Sequence, residues 1–290
     1  MTSLTEATSH YRRRRLVERV MFAMTMLATV TTVGILLFLL AYLVYEGGSS
    51  LSLSFFTNLP TPVGETGGGM ANAMIGSAKL LFVAASIGVP IGFIGGVYLA
   101  EIGGGRLAFW VRYAADVLNG VPSIVIGVTV YALIVVPMGH FSTIAGGIAL
   151  GLMMIPVSLR ASEEFLLLVP DSLREAALAL GAPRWATIVR VVIPAAARGI
   201  ATGLLLSLAR VAGETAPLLF TALNNRFWSE GWNQPTASLP VVIFTYAVSP
   251  YEDWHRQAWA AALVLLGLVL GSNVLARVIL QRGGAGFRRA

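Results

Sequence analysis

Apolar residues run along this chain in long blocks separated by short polar connections. Six blocks reach the roughly 20 residues that a helix needs to cross a bilayer: 20–45, 72–100, 112–137, 141–160, 199–223 and 257–280. They predict an all-α integral membrane protein with six transmembrane helices. The first block follows the run RRRR at 12–15, which has the look of a signal-peptide n-region. Its apolar stretch is too long for a signal sequence and no small-x-small site follows, so it reads as a retained first span. The expected division is a cytoplasmic arm over 1–19, a six-helix transmembrane domain over 20–282 with a cytoplasmic loop at about 161–198, and a cytoplasmic tail over 283–290.

Composition agrees. The chain has 290 residues, is 56% hydrophobic and only 12% charged, with mean hydropathy +0.77; a soluble domain is about 25% charged. The absence of cysteine excludes disulfides, thiol catalysis and Cys-ligated metals. His10, His140 and His255 are scattered without metal-ligand spacing, so no metal is expected. The net charge of +6 comes almost wholly from arginine, Lys79 being the single lysine. A basic balance can mark nucleic-acid binding. Here the arginines flank apolar spans, which is a topology signal. With six spans, the arginines of the arm, of the 101–112 and 160–198 connections and of the tail share one side. That group includes Arg106, Arg112, Arg160, Arg174, Arg184, Arg190 and Arg198, against only Arg226 and Arg256 opposite. Both termini are therefore expected in the cytoplasm.

The outer connections are unequal. The 46–71 segment carries Glu46 and Glu65, and the 224–256 segment carries Trp228, Trp232 and Trp254. The tryptophans suit either an interfacial belt or a docking surface. Lys79, towards the outer end of the second span, either snorkels to the headgroups or serves the outer mouth.

The cytoplasmic segment 171–194 reads DSLREAALALGAPRWATIVRVVIP. Ser172 and Glu175 have capping-box spacing, which predicts a helix start. REAALAL is a strong helix former. Gly181 can close that helix in a left-handed conformation, and Pro183 can open a second one ending near Pro194. The unit is too short and too charged to span. It is either a joint between spans or an exposed knob for a partner. A nucleotide-binding P-loop needs Gly-x4-Gly-Lys, and the one lysine follows GSA instead, so this chain is not expected to bind or hydrolyse ATP.

Residues 208–220 read LARVAGETAPLLF, with two charges in an apolar block. Each costs a few kcal/mol at membrane depth on insertion scales. Arg210 and Glu214 are four apart and share one face of a continuous helix. Pro217 cannot donate to the Gly213 carbonyl, so the helix should open beside them. Either the two form an ion pair that locks spans together, or they line a polar path, for which the planar guanidinium fits tetrahedral oxyanions. Thr215 belongs to the same polar set. Pro122 and Ser123 either break the third helix and line the path or serve packing.

Several stretches carry a family resemblance. Glu175, Ala176, Ala177, Gly181 and the ending Val191-Val192-Ile193-Pro194 resemble the EAA motif of ABC-importer permeases. Val191 replaces the usual Ile, and Ile193 the usual Leu. RVAGETAPLLFTALNN resembles the fifth-span motif of phosphate-importer permeases of the PstA type, and LNGVPSIVIG at 118–127 their third-span motif. YLAEIG at 98–103 and ANAMIGSAKLL at 71–81 are similar to their second span. The resemblance covers about residues 15–282. Sulfate, molybdate and polyamine permeases share the EAA loop, whereas GETAPLLF is more selective for the phosphate branch.

The resemblance implies the type I ABC importer (MetI-like) permease fold with a cytoplasmic coupling helix. It implies a multi-pass subunit in the bacterial plasma (inner) membrane, paired with a homologous second permease of the PstC type. Two ATPase copies of the PstB type, using ATP and Mg, would dock at Glu175, Ala176, Ala177, Gly181, Pro183 and Pro194. A periplasmic phosphate-binding protein of the PstS type would deliver inorganic phosphate to a path including Arg210, Glu214, Thr215, Pro122 and Ser123. Glu214 would either neutralise Arg210 in the empty path or accept a hydrogen bond from the phosphate P–OH. The competing expectations are a permease for another oxyanion, such as sulfate or molybdate, and a secondary anion transporter.

Overall fold

The computed structural model describes residues 2–65 and 67–283, and among them every regular element is helical. Helix α1 (Thr2–Gly48) contains no proline, and no glycine before Gly34, so nothing breaks it; residues 2–19, expected as a separate arm, continue the same helix. After the short α2 (Leu53–Thr57) comes α3 (Ala71–Glu101), the second span.

The third apolar block is not one straight helix. It forms α4 (Arg106–Gly120), α5 (Ser123–Val130), a π turn (Tyr131–Val135) and α6 (Val136–Met138). The two arms meet at 100°. Pro122 causes the break: it lacks an N–H and forces Val121 into an extended conformation (φ −69°, ψ 129°). Five helices are long and apolar enough to span, and this bent pair makes a sixth.

The fourth span, α7 (Thr143–Leu167), starts where Ser142 Oγ accepts from the Ala145 N–H at 3.1 Å. The 171–194 unit follows as α8 (Asp171–Ala179) and α9 (Arg184–Thr187). The helix expected to end near Pro194 does not end there. A π turn (Ile188–Val192) carries it into α10 (Ile193–Ala212). Both π turns immediately precede a proline-bearing helical turn, with Pro137 and Pro194 in the first two positions of α6 and α10. A wider turn accommodates the missing N–H and the ring that would clash with a carbonyl four residues back.

The fifth span therefore ends at Ala212 rather than near 223. Residues 213–215 are non-helical and α11 (Ala216–Thr221) follows. The outer connection then holds an unexpected helix, α12 (Leu239–Ala247), whose 9 residues are apolar but too few to span. Last comes α13 (Glu252–Gly283). The expected tail lies, apart from Gly283, outside the described residues.

The core centres on α7. A lipid-embedded helix pair gains little from apolar burial, so close packing of small residues holds it together. A Cβ added to Gly88, Gly92 or Gly96 of α3 would lie 2.6, 2.4 or 2.5 Å from the Cβ of Met154, Ser158 or Ser162 on α7. On another face of α7, Phe165 and Ala161 fill the space left by Gly199 and Gly203 of α10, and Ser158 and Ser207 hydroxyls bond at 3.0 Å. Helix α1 meets α13 where Tyr42 sets its ring edge-on to Trp259 at 5.3 Å.

Gly92→Leu should force α3 off α7. Overpacking costs about 1–3 kcal/mol, so the purified protein should melt at lower temperature in detergent, whereas Ile94→Leu on the exposed face of α3 should leave melting unchanged.

Candidate functional site

Arg210 stands at the end of α10, where the Gly213 N–H closes the last turn on the Arg210 carbonyl at 3.4 Å. Its side chain is exposed, and Nη1 donates to Asn119 Oδ1 at 3.3 Å. Asn119 lies just before the α4–α5 bend. The arginine of the fifth-span motif thus touches the asparagine of the third-span motif. Both line an open groove of about 370 Å³ between α4, α7 and α10, with Arg160, Glu164, Thr202 and Leu206 on its walls.

The same-face pairing expected of Arg210 and Glu214 is not formed. Helix α10 stops at Ala212, two residues short of Glu214, so the four-residue spacing no longer sets their relative direction. Glu214 sits half-buried in the break, its N–H bonded to the Val211 carbonyl at 3.2 Å. Thr215 opens α11, its carbonyl accepting from Leu218 at 3.1 Å. Pro122 is exposed at the α4–α5 bend, and Ser123 is the first residue of α5. The two broken spans touch: a Cβ on Gly127 would lie 2.6 Å from Pro217 Cα. Glu214, Thr215, Pro122 and Ser123 are not among the groove-lining residues.

The groove wall is set by an ion network. Glu163, with a side chain 5% exposed, accepts from Arg112 Nε at 2.6 Å and Arg160 Nη1 at 3.0 Å. Arg160 also grips both oxygens of Asp116, at 2.6 and 3.1 Å. Sequence reasoning counted Arg112 and Arg160 as loop charges. They lie inside α4 and α7, each paired with a carboxylate. The three-residue spacing of Arg160 and Glu163 was the available signal; the α4 partners Asp116 and Asn119 had none, being distant in sequence.

In the 171–194 unit, Gly181 adopts the left-handed conformation (φ +82°). Ala182 N–H bonds to Ala177 O at 3.1 Å and Gly181 N–H to Leu178 O at 2.9 Å, the two bonds of a Schellman ending. The capping box is not formed. Pro170 precedes the first helical residue and no side chain caps it, so Ser172 already lies inside α8. Glu175, Ala176, Gly181, Pro183 and Pro194 are exposed, whereas Ala177 is buried. Leu180 is 89% exposed and Trp185 61%, so the unit presents an apolar knob beside Glu175.

In the second span, Lys79 does not simply snorkel: Nζ donates to the Ser229 carbonyl at 2.7 Å and lies 5.8 Å from the Trp232 ring. Trp254 stacks on Tyr246 at 4.4 Å with Arg226 at 5.7 Å, while Trp228 and Trp232 stay exposed.

Broken spans packed around an arginine-lined groove are the architecture of a membrane transport permease. The chain belongs to the family of binding-protein-dependent transport system inner membrane components, whose model matches residues 88–283. Among its relatives, the phosphate transport system permease protein PstA of Yersinia pestis is 46% identical over 270 residues, 93% of this chain and 92% of that protein. PstA of Haemophilus influenzae is 44% identical over 269 residues, 92% and 95% of the two chains. Solved structures share the fold. A chain of the inward-facing MetNI methionine ABC transporter aligns with TM-score 0.53 at 22% identity, covering 76% of this chain and 96% of its own. A chain of an amino acid ABC transporter aligns with TM-score 0.57 at 18% identity, covering 73% and 93%.

Glu163→Leu should leave two arginines without their shared carboxylate. Breaking a buried pair costs about 3–5 kcal/mol, and the lower end applies because Arg112 and Arg160 keep some solvent access. Thermal unfolding in detergent should show a clear loss of stability.

Proposed function

We propose that this chain is the permease subunit of an ATP-driven importer of inorganic phosphate, forming half of the translocation path and driven by a separate ATPase. The observation that carries this reading is the Arg210 guanidinium. It has five N–H donors, bonds one neutral amide oxygen and faces an open groove. A planar fork with free donors suits a tetrahedral oxyanion. The names and full-length likeness of the PstA relatives select phosphate among oxyanions.

Transport requires binding that is weak enough to release. Arg160 lines the same groove but is already matched by Asp116 and Glu163, so Arg210 is the cation left to attract the anion and the groove is not a trap. Arg210 does not depend on Glu214 for compensation in this arrangement. Glu214, Thr215, Pro122 and Ser123 border the path at the two backbone breaks, beyond the groove lining, and set the bends that bring Asn119 and Arg210 together. Phosphate arrives from an extracytoplasmic binding protein of the PstS type and passes between this chain and a PstC-type permease. Helix α8 and the bend at Gly181 dock on a PstB-type ATPase dimer, which uses ATP and Mg. This chain itself holds no cofactor and performs no hydrolysis. It sits in the bacterial plasma membrane with both termini in the cytoplasm, as the arginine distribution indicates.

The test is uptake of labelled phosphate and labelled sulfate by proteoliposomes holding the whole complex and its binding protein. Phosphate should enter only with ATP and sulfate should not. Sulfate entry would support the other-oxyanion reading, and ATP-independent entry a secondary transporter. Arg210→Gln removes a charge-assisted contact worth about 1.5–3 kcal/mol, so uptake should fall about tenfold or more in a complex that still assembles.

A further inference from the structure

The cytoplasmic helix α8 is held by one side chain whose donors are all occupied. Arg174 Nη2 donates to Glu101 Oε1 at 2.8 Å, and Nε lies 3.3 and 3.4 Å from the two Glu101 oxygens. The second Nη2 donor reaches the Leu166 carbonyl at 2.9 Å. Nη1 serves the Val169 carbonyl at 2.6 Å and Asp171 Oδ1 at 3.1 Å. These contacts use the five N–H groups of a guanidinium. They also join three elements. Glu101, 7% exposed at its side chain, is the last residue of α3. Leu166 lies in the last turn of α7 and Val169 in the connection that follows it. Asp171 begins α8 itself. The hydrogen bond to Glu101 raises the Arg174 pKa against the opposing effect of burial, so the clasp stays charged.

Elsewhere α8 leans on the π turn 188–192 and is bounded by the 168–170 connection and the Gly181 bend. A push on its exposed face would otherwise reach the membrane chiefly through α9 and α10. We propose that Arg174 and Glu101 are positioning residues for coupling: they fasten α8 to the α3–α7 pair, so that displacement of α8 moves those two spans with it. This rests on the reading of the chain as an ATP-driven permease. Neither residue touches substrate. Lysine is no substitute for Arg174, because three donors on one nitrogen cannot replace five spread over a planar fork that reaches Glu101, Leu166, Val169 and Asp171 at once.

Glu101→Gln and Arg174→Lys complexes, checked for intact subunit stoichiometry, should be assayed for ATP hydrolysis and phosphate uptake in one proteoliposome preparation. Both variants should hydrolyse ATP at close to the wild-type rate, while phosphate moved per ATP falls about fivefold or more, the scale of a typical coupling energy. An unchanged ratio in both variants would overturn the proposal, as would a parallel fall of hydrolysis and uptake, which is the signature of simple loss of structure. A second readout does not depend on the substrate. Spin labels at Ser172→Cys on α8 and Ile94→Cys on α3 should keep one narrow distance through the ATP cycle, and Glu101→Gln should broaden it. A distance distribution unaffected by Glu101→Gln would also overturn the clasp, even where wild-type uptake shows that phosphate is not the cargo.

Discussion

The close approach of α3 and α7 is the constraint on which the rest of the structure depends. Gly88, Gly92 and Gly96 let the facing helix come close enough for Met154, Ser158 and Ser162 to fill the space a Cβ would take. In lipid this contact takes the place of an apolar core, because the solvent is as apolar as the side chains. It makes α7 the reference for its neighbours: 56% of its most apolar stretch is buried, against 28% or less in every other straight span. Ser158 illustrates the economy of space, meeting Gly92 on one side and Ser207 on the other. Glu163, one turn further on, draws in α4 through Arg112 and Arg160.

Against that rigid pair, the third and fifth spans are broken. Irregular backbone at membrane depth is tolerated only where protein covers it or where it lines a cavity. The breaks at 121–122 and 213–215 lie on spans whose continuations pack together through Gly127 and Pro217. Just before those breaks, Asn119 and Arg210 meet at the groove. Two arginines share the groove with opposite roles: Arg160 is matched by two carboxylates and holds the wall, while Arg210 keeps donors free. Sequence alone shows neither difference, since both are arginines in or beside apolar blocks.

What the sequence revealed follows from which features are local. Span length is local, and the six blocks correspond to α1, α3, the α4–α6 unit, α7, α10 and α13. The left-handed turn at Gly181 and the break at Pro122 are also local, because each arises from what one residue type permits. The Arg210–Glu214 pairing failed because it assumed a continuous helix, and α10 ends between the two. Counting arginines by segment does not show which are paired inside a helix, so the partners of Arg160 stayed hidden. Helix α12 escaped notice because 9 apolar residues fall below span length. The groove itself joins residues about 90 positions apart, as in the Asn119–Arg210 bond, and no local pattern encodes that meeting.

The central claim is that the groove between α4, α7 and α10 is the wet passage through which the anion moves. The chain has no cysteine, so one can be introduced without background from this subunit. In inside-out vesicles carrying the working complex, Thr202→Cys on the groove wall should react with a charged, membrane-impermeant thiol reagent. Phosphate should slow that reaction during ATP turnover, while Val136→Cys, exposed on α6 and away from the groove, should show no phosphate effect. A Thr202→Cys thiol that stays unreactive, or one whose labelling ignores phosphate, would contradict the account.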